Sequence, residues 1–228
     1  RDAGFDNISL DLIYGIPGQS AAELESDLAE ALALEPEHLS AYELEAKPGT
    51  RFTHAHGAEL ERQAESMESY FELVVETLTA AGYRWYETAN FCRATDRDAG
   101  RDLRARHNLG YWLGHDYLGL GVGAVSTIEN RRWRNAPSLQ GYFAALEAGR
   151  RPPRELEELP AEVRETERVM LGLRLDEPLR LIDVEHALDA GELGRLERLG
   201  LAERREGTVA LTARGRFLGD GVTAALLA

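Results

Sequence analysis

The chain opens on an alternation. Ile8, Leu10, Leu12 and Tyr14 fall on one face of an extended segment, and Ser9, Asp11 and Ile13 fall on the other. Because the second face still carries Ile13, the pattern predicts a strand buried on both sides, as in parallel sheets covered by helices. Tyr14-Gly15-Ile16-Pro17-Gly18 stops the strand in a turn. The period then lengthens: Leu24, Leu28 and Leu32 form the stripe of a helix that Ser20 and Glu23 start as a capping box. Asp11 thus lies near the carboxyl end of a strand in a strand–turn–helix unit, where parallel α/β folds place ligands. The position equally suits a carboxylate that holds the following turn by its backbone amides.

A second strand is expected over residues 39–45, with Leu39, Ala41, Glu43 and Glu45 on one face, ending at Lys47-Pro48-Gly49-Thr50. Leu60, Ala64, Met67, Phe71, Val74 and Leu78 recur at helical spacing, which predicts one long helix over residues 59–81 with Gly82 beyond its end. Residues 83–88 read as a third strand. Strands alternating with helices long enough to cross over predict parallel pairing in an open or closed α/β barrel segment.

Periodicity then lapses. Residues 91–106 set Arg93, Arg97, Arg101, Arg104 and Arg106 among Asp96, Asp98 and Asp102. Such a stretch is either a solvated loop with local ion pairs or an arginine-lined mouth for a carboxylate ligand. Gly119, Gly121 and Gly123 alternate, clearing one strand face for a flat ligand or for another backbone. Their spacing is not that of a dinucleotide fingerprint. Arg131, Arg132 and Arg134 form a second basic cluster.

Beyond a short helix over residues 139–148, capped by Ser138, the pattern changes in kind. Arg150-Arg151-Pro152-Pro153 reads as a linker, giving domains of residues 1–150 and 151–228. Helical periodicity covers residues 160–175 and about 182–199. A hairpin turns at Glu206-Gly207 between residues 201–205 and 208–211, and Thr212 caps a last helix running toward Leu227. Helices, a two-stranded wing and a closing helix predict a small winged-helix-like α+β domain.

Charge narrows the partners. A net charge of −14 over 228 residues argues against nucleic acid or an anionic membrane as the main partner. Residues 151–228 hold twelve arginines against sixteen acidic residues, a net of −4, with no basic stripe for DNA. No run approaches a membrane-spanning length. The first strand follows Arg1 so closely that no signal peptide is expected, and the chain reads as the carboxyl-terminal part of a longer protein of the cytoplasm. The single cysteine, Cys92, excludes a disulfide framework within the chain and fits a reducing compartment.

Several stretches occur in a telling order: Asp11-Leu-Ile-Tyr-Gly-Ile-Pro-Gly-Gln19, Leu39-Ser-Ala-Tyr-Glu-Leu44, Tyr86-Glu87 with Asn90-Phe91, His107-Asn-Leu-Gly-Tyr-Trp112, and Tyr117-Leu-Gly-Leu-Gly-Val-Gly-Ala-Val-Ser126. Together, over nearly the whole chain, they resemble the oxygen-independent coproporphyrinogen III oxidase-like family of radical SAM proteins, in its haem chaperone branch. The resemblance implies the carboxyl half of a radical SAM (β/α) barrel followed by the winged-helix-like domain. It implies S-adenosylmethionine (SAM) contacts at Asp11 and Val125, and haem contacts at His107 and Tyr111. His107 would ligate the haem iron, since neutral imidazole is a standard axial ligand and tyrosinate a less common one. Four residues apart, the two share a helical face. Apart from the resemblance, a lone histidine beside aromatics is more often a packed, hydrogen-bonded residue.

The function so implied is to bind haem and SAM and deliver haem to acceptor proteins. The alternatives are the oxidase itself, which decarboxylates two propionates, and a non-catalytic interaction module. The family's [4Fe–4S] cluster is held by three cysteines that this chain lacks, so the cluster ligands are expected outside it, and the chain alone is not expected to catalyse radical chemistry. The stretch between Phe91 and His107 is longer than the family's and carries Cys92, a second candidate for the iron because thiolates also ligate haem.

Overall fold

The computed structural model describes residues 1–94 and 100–227. The chain forms two compact units, Arg1–Ala105 with Arg174–Glu177 and Leu211–Gly219, and Arg106–Leu173 with Pro178–Ala210 and Asp220–Ala228.

The first unit contains β1 (Ser9–Tyr14), α1 (Ala21–Ala33), β2 (His38–Glu43), α2 (Arg51–Ala64), α3 (Met67–Ala80), β3 (Tyr83–Glu87) and β4 (Asn90–Arg93). Its sheet has the order β1-β2-β4-β3. β1 and β2 are parallel, as expected, with Asp11 opposite Ser40. The third strand departs from expectation. Thr88 and Ala89 close a tight hairpin, so β4 pairs antiparallel with both β3 and β2 and separates them. β4 lies in the stretch read as a polar loop; its Asn90, Phe91 and Cys92 are buried.

The two faces of this sheet differ. Leu10, Leu12, Tyr14, Leu39, Ala41, Trp85 and Phe91 pack on Leu24, Leu28, Val74 and Leu78 of α1 and α3, and fully buried side chains such as Leu28, Leu39, Leu78 and Phe91 contribute about 1.5–3 kcal/mol each. The other face carries Ser9, Asp11 and Ile13, which are exposed, Ile13 at 54%. The reading of β1 as buried on both sides is therefore corrected: the described helices cover one face only.

The single helix expected over residues 59–81 is two helices, broken between α2 and α3 at Glu65 and Ser66. α2 begins at Arg51, where Thr50 and Thr53 form a reciprocal cap. Gly15 has a φ of +76°, and a Cβ there would lie 2.6 Å from Met67 Sδ, so the turn after β1 accepts only glycine.

The second unit contains α4 (Arg106–Trp112), β5 (Val125–Ile128), β6 (Arg131–Asn135), α5 (Leu139–Glu147), β7 (Arg154–Glu158), α6 (Ala161–Gly172), β8 (Leu179–Arg180), α7 (Ala190–Arg198), β9 (Ala202–Arg205) and β10 (Thr208–Leu211). α8 (Ala213–Phe217) belongs to the first unit, and α9 (Gly219–Leu226) follows it in the chain. β5, β6 and β7 form one antiparallel sheet. Residues 150–153 run straight into β7, so segments on both sides of the linker share that sheet. The compact units part at 105/106, whereas the sequence reading parts the chain at 150/151.

The α6–β8–α7–β9–β10 order with sheet order β8-β10-β9 is the winged-helix arrangement, as expected. Within it, the helix expected from residue 182 starts later: a 3₁₀ turn at Leu181–Asp183 precedes α7, whose cap Asp189 accepts from the amides of Gly191 and Glu192. The alternating glycines form a loop and turn, not a strand. A Cβ on Gly119 would sit 2.1 Å from the Val125 carbonyl oxygen, so this glycine admits another backbone.

Candidate functional site

The side of the first unit's sheet away from its helices is polar, and its polar groups are organised. Ser9 Oγ lies 2.8 Å from His38 Nδ1, His38 Nε2 lies 2.8 Å from Tyr86 Oη, and the Ala105 amide donates to Tyr86 Oη at 3.1 Å. Alongside, Ser40 Oγ donates to Asn90 Oδ1 at 3.0 Å. Glu87 accepts from Asn90 Nδ2, from the Ala89 amide at 3.1 Å and from Arg174 Nε at 2.8 Å. His38, Ser40, Tyr86, Glu87 and Asn90 are buried, and buried polar groups persist only when so satisfied. Burial holds the His38 imidazole below its usual range and the Tyr86 phenol above its own.

Asp11 stands exposed on this face beside Ser9. It does not hold the turn after β1. Gln19 Oε1 accepts from the Gly15 amide at 2.9 Å, Gln63 Oε1 accepts from the Gly18 amide at 3.1 Å, and Tyr70 Oη donates to the Gln19 carbonyl at 2.6 Å. Among the described residues no hydrogen bond occupies the Asp11 carboxylate, which leaves it available to a ligand. Val125 belongs to the second unit, as the half-buried first residue of β5.

His107 and Tyr111 come together as their spacing predicts. Both lie on α4, with ring centroids 5.0 Å apart and planes nearly perpendicular, and Tyr111 in turn meets Tyr117 at 4.8 Å. Tyr111 lines a cavity of about 630 Å³ together with Trp112, Tyr117, Arg164, Arg168 and Met170, a volume within the range of small-molecule sites. Arg164 and Arg168 are one turn apart on α6. They donate to Asn130 Oδ1 and the Leu113 carbonyl, and neither meets a carboxylate among the described residues. Arg132 is instead locked to Glu167 by two bonds of 2.7 Å. Sequence reading passed over Arg164 and Arg168. Their signal was a pair of like charges four apart on a helix, which a surface helix ordinarily spends on solvent.

Three arginines of the stretch 91–106 are engaged within the protein. Arg104 is bound by Asp102 and Glu177, Arg101 by Asp6, and Arg93 donates to the Pro36 carbonyl. Arg97, with Asp96 and Asp98, lies outside the described residues. Only the Arg104–Asp102 pair is local; Arg101 and Arg104 also reach carboxylates distant in sequence, and none of the three arginines is left facing a ligand mouth. Cys92 is buried in the first unit, and burial pushes its thiol up to about 11, which keeps it protonated. A protonated, enclosed thiol ligates neither haem nor an iron–sulfur cluster. Among the described residues no three histidine, cysteine or carboxylate side chains form a metal-binding group, so this chain's residues do not fit a [4Fe–4S] cluster.

No family model matches the chain. It is 36% identical over 229 residues to the "Heme chaperone HemW" of Mycobacterium tuberculosis, covering 98% of this chain and 56% of that protein. It is 32% identical over 245 residues to the Bacillus subtilis protein of the same name, covering 60% of that protein. The chain thus spans somewhat over half the length of these relatives. A solved structure, "Coproporphyrinogen III oxidase (HemN) from Escherichia coli is a Radical SAM enzyme", matches 98% of this chain and 55% of its own with a TM-score of 0.70 at 23% identity; at that identity the likeness is one of fold. The relatives, the fold and the ordered motifs agree, and the chain belongs to the HemN-like/HemW family.

Proposed function

We propose that this chain is the haem-binding portion of a haem chaperone that also binds SAM and passes haem to an acceptor protein in the cytoplasm. The observation that carries the proposal is the His107–Tyr111 pair on α4, with Tyr111 lining a cavity walled by aromatic side chains and by two arginines that meet no carboxylate among the described residues. His107 is exposed, and among the described residues nothing hydrogen-bonds its imidazole, so a nitrogen lone pair is open to iron. Trp112 and Tyr117 offer apolar surface to a macrocycle, and Arg164 and Arg168 offer forks to propionates. Asp11 fits SAM as a carboxylate acceptor.

Among the described residues no helix is long and apolar enough to cross a membrane. The test is a haem titration of the full-length protein, which should yield a saturable Soret band displaced from that of free haem. A spectrum identical to free haem, with decarboxylation of coproporphyrinogen III under anaerobic reducing conditions, would overturn the proposal in favour of the oxidase.

A further inference from the structure

The chain Ser9–His38–Tyr86–Ala105 has a direction, and the direction assigns a role to Ser9. Tyr86 is fully enclosed. Its oxygen accepts from the Ala105 amide at 3.1 Å, and the one described partner for its own proton is His38 Nε2 at 2.8 Å. Were Nε2 protonated, it would have to donate to the same oxygen, and the phenol proton would be buried without an acceptor, a cost of about 1–3 kcal/mol. The phenol therefore donates to Nε2, and a neutral His38 carries its proton on Nδ1. Nδ1 then donates to Ser9 Oγ at 2.8 Å. A hydroxyl that accepts from a buried donor keeps its own hydrogen for another group. Ser9 is exposed, and that hydrogen meets no acceptor among the described residues.

Asp11 follows two residues later on the same face, about 6–7 Å along the strand. We propose that Ser9 is a ligand-contacting hydrogen-bond donor, held in that role by the positioning residues His38 and Tyr86, and that Ser9 and Asp11 together present a donor and an acceptor to the nucleoside part of SAM. A nucleoside carries ribose hydroxyls that donate to a carboxylate, and ring nitrogens and hydroxyl oxygens that accept from a serine. The neighbouring Ser40 is committed the other way: it spends its proton inward on Asn90 Oδ1 and is buried. This inference rests on the reading of Asp11 as a SAM contact.

Two measurements on the full-length protein test it. Nitrogen NMR of histidine-labelled protein should show His38 as the neutral tautomer protonated on Nδ1, and Tyr86→Phe should abolish that preference; a His38 protonated on Nε2 would overturn the assignment whatever the ligand. Calorimetric titration with S-adenosylhomocysteine should show Ser9→Ala weakening binding about tenfold, the loss of one hydrogen bond. Tyr86→Phe should fall between Ser9→Ala and wild type. If Asp11→Ala weakens binding while Ser9→Ala does not, the role of Ser9 is refuted and the SAM site stands. If Asp11→Ala itself changes nothing, the SAM reading of this face fails and the Ser9 proposal with it.

Discussion

On the sheet of the first unit, His38, Ser40, Asn90 and Glu87 are buried and each is bound to a neighbour before any ligand arrives. In the second unit His107 stands exposed and meets Tyr111 ring against ring, while Arg164 and Arg168 line an open cavity. A site whose donors and acceptors are fixed in advance spends little entropy on ordering and imposes one register on a small ligand. A site of exposed, lightly held side chains binds at the expense of ordering them, and it releases its occupant more readily. The first arrangement suits a cofactor that is positioned. The second suits a cargo that is handed on.

Breaking the fixed site should produce the largest effect. Glu87→Ala removes the acceptor of Asn90, the Ala89 amide and Arg174 at once. Removing one partner of a buried charged network costs about 3–5 kcal/mol; with Arg174 about a third exposed, the lower end of that range applies. Denaturant unfolding should register a loss of about 3 kcal/mol. A loss below about 1 kcal/mol would put Glu87 on the level of a surface ion pair and remove the contrast between the units.

His38 gives a smaller effect, read by pH. Burial depresses its pKa in the folded state, opposed by the Asp11 charge. The folded protein therefore binds fewer protons than the unfolded chain in the window just below the ordinary histidine value of about 6.5. Stability is full above that value and declines as the pH falls through the folded pKa. The groups around His38 are Ser9, Tyr86, Asp11 and Cys92, of which the phenol and thiol stay protonated in this window. The melting temperature should drop between about pH 7 and pH 5, and His38→Gln should flatten that part of the profile. A profile unaltered by the substitution would mean that His38 is not the group responsible.

The sequence made the starts of α1 and α5 and the motif face of α4 legible because these are local. Ser20 with Glu23, and His107 with Tyr111, are set by spacings of three and four residues. It did not reveal β4, a four-residue strand whose place between β2 and β3 is decided by long-range pairing. Nor did it reveal the break between α2 and α3, because the apolar repeat passes through Glu65 and Ser66 without a phase change. The alternation of Ser9 and Asp11 with Leu10 and Leu12 was visible. Which face would be covered depended on where α1 and α3 docked. The role of the arginines stayed open in the sequence for a related reason: Arg104 lies close to the motif in sequence yet is consumed by Asp102 and Glu177, whereas Arg164 and Arg168 arrive from α6, more than fifty residues on.

The smallest effect concerns the proposed boundary at 150/151. Arg150, Arg151 and Pro153 are exposed, but β7 begins at Arg154 and is paired along its length with β6. Limited proteolysis should cut within residues 150–153, and the two pieces should elute together, held by that ladder. Pieces that separate under native conditions would establish residues 151–228 as an independent domain; protection of the segment would remove the boundary.

The central claim, that iron is taken by the exposed group of the second unit and not by the buried thiol of the first, is tested most directly by the haem spectrum of three full-length proteins. Wild type and Cys92→Ser should share one displaced Soret band, because a thiol held protonated up to about pH 11 offers no thiolate. His107→Ala should shift or abolish that band. A band lost in Cys92→Ser and retained in His107→Ala would contradict the account, placing the iron on the one group that the structure encloses.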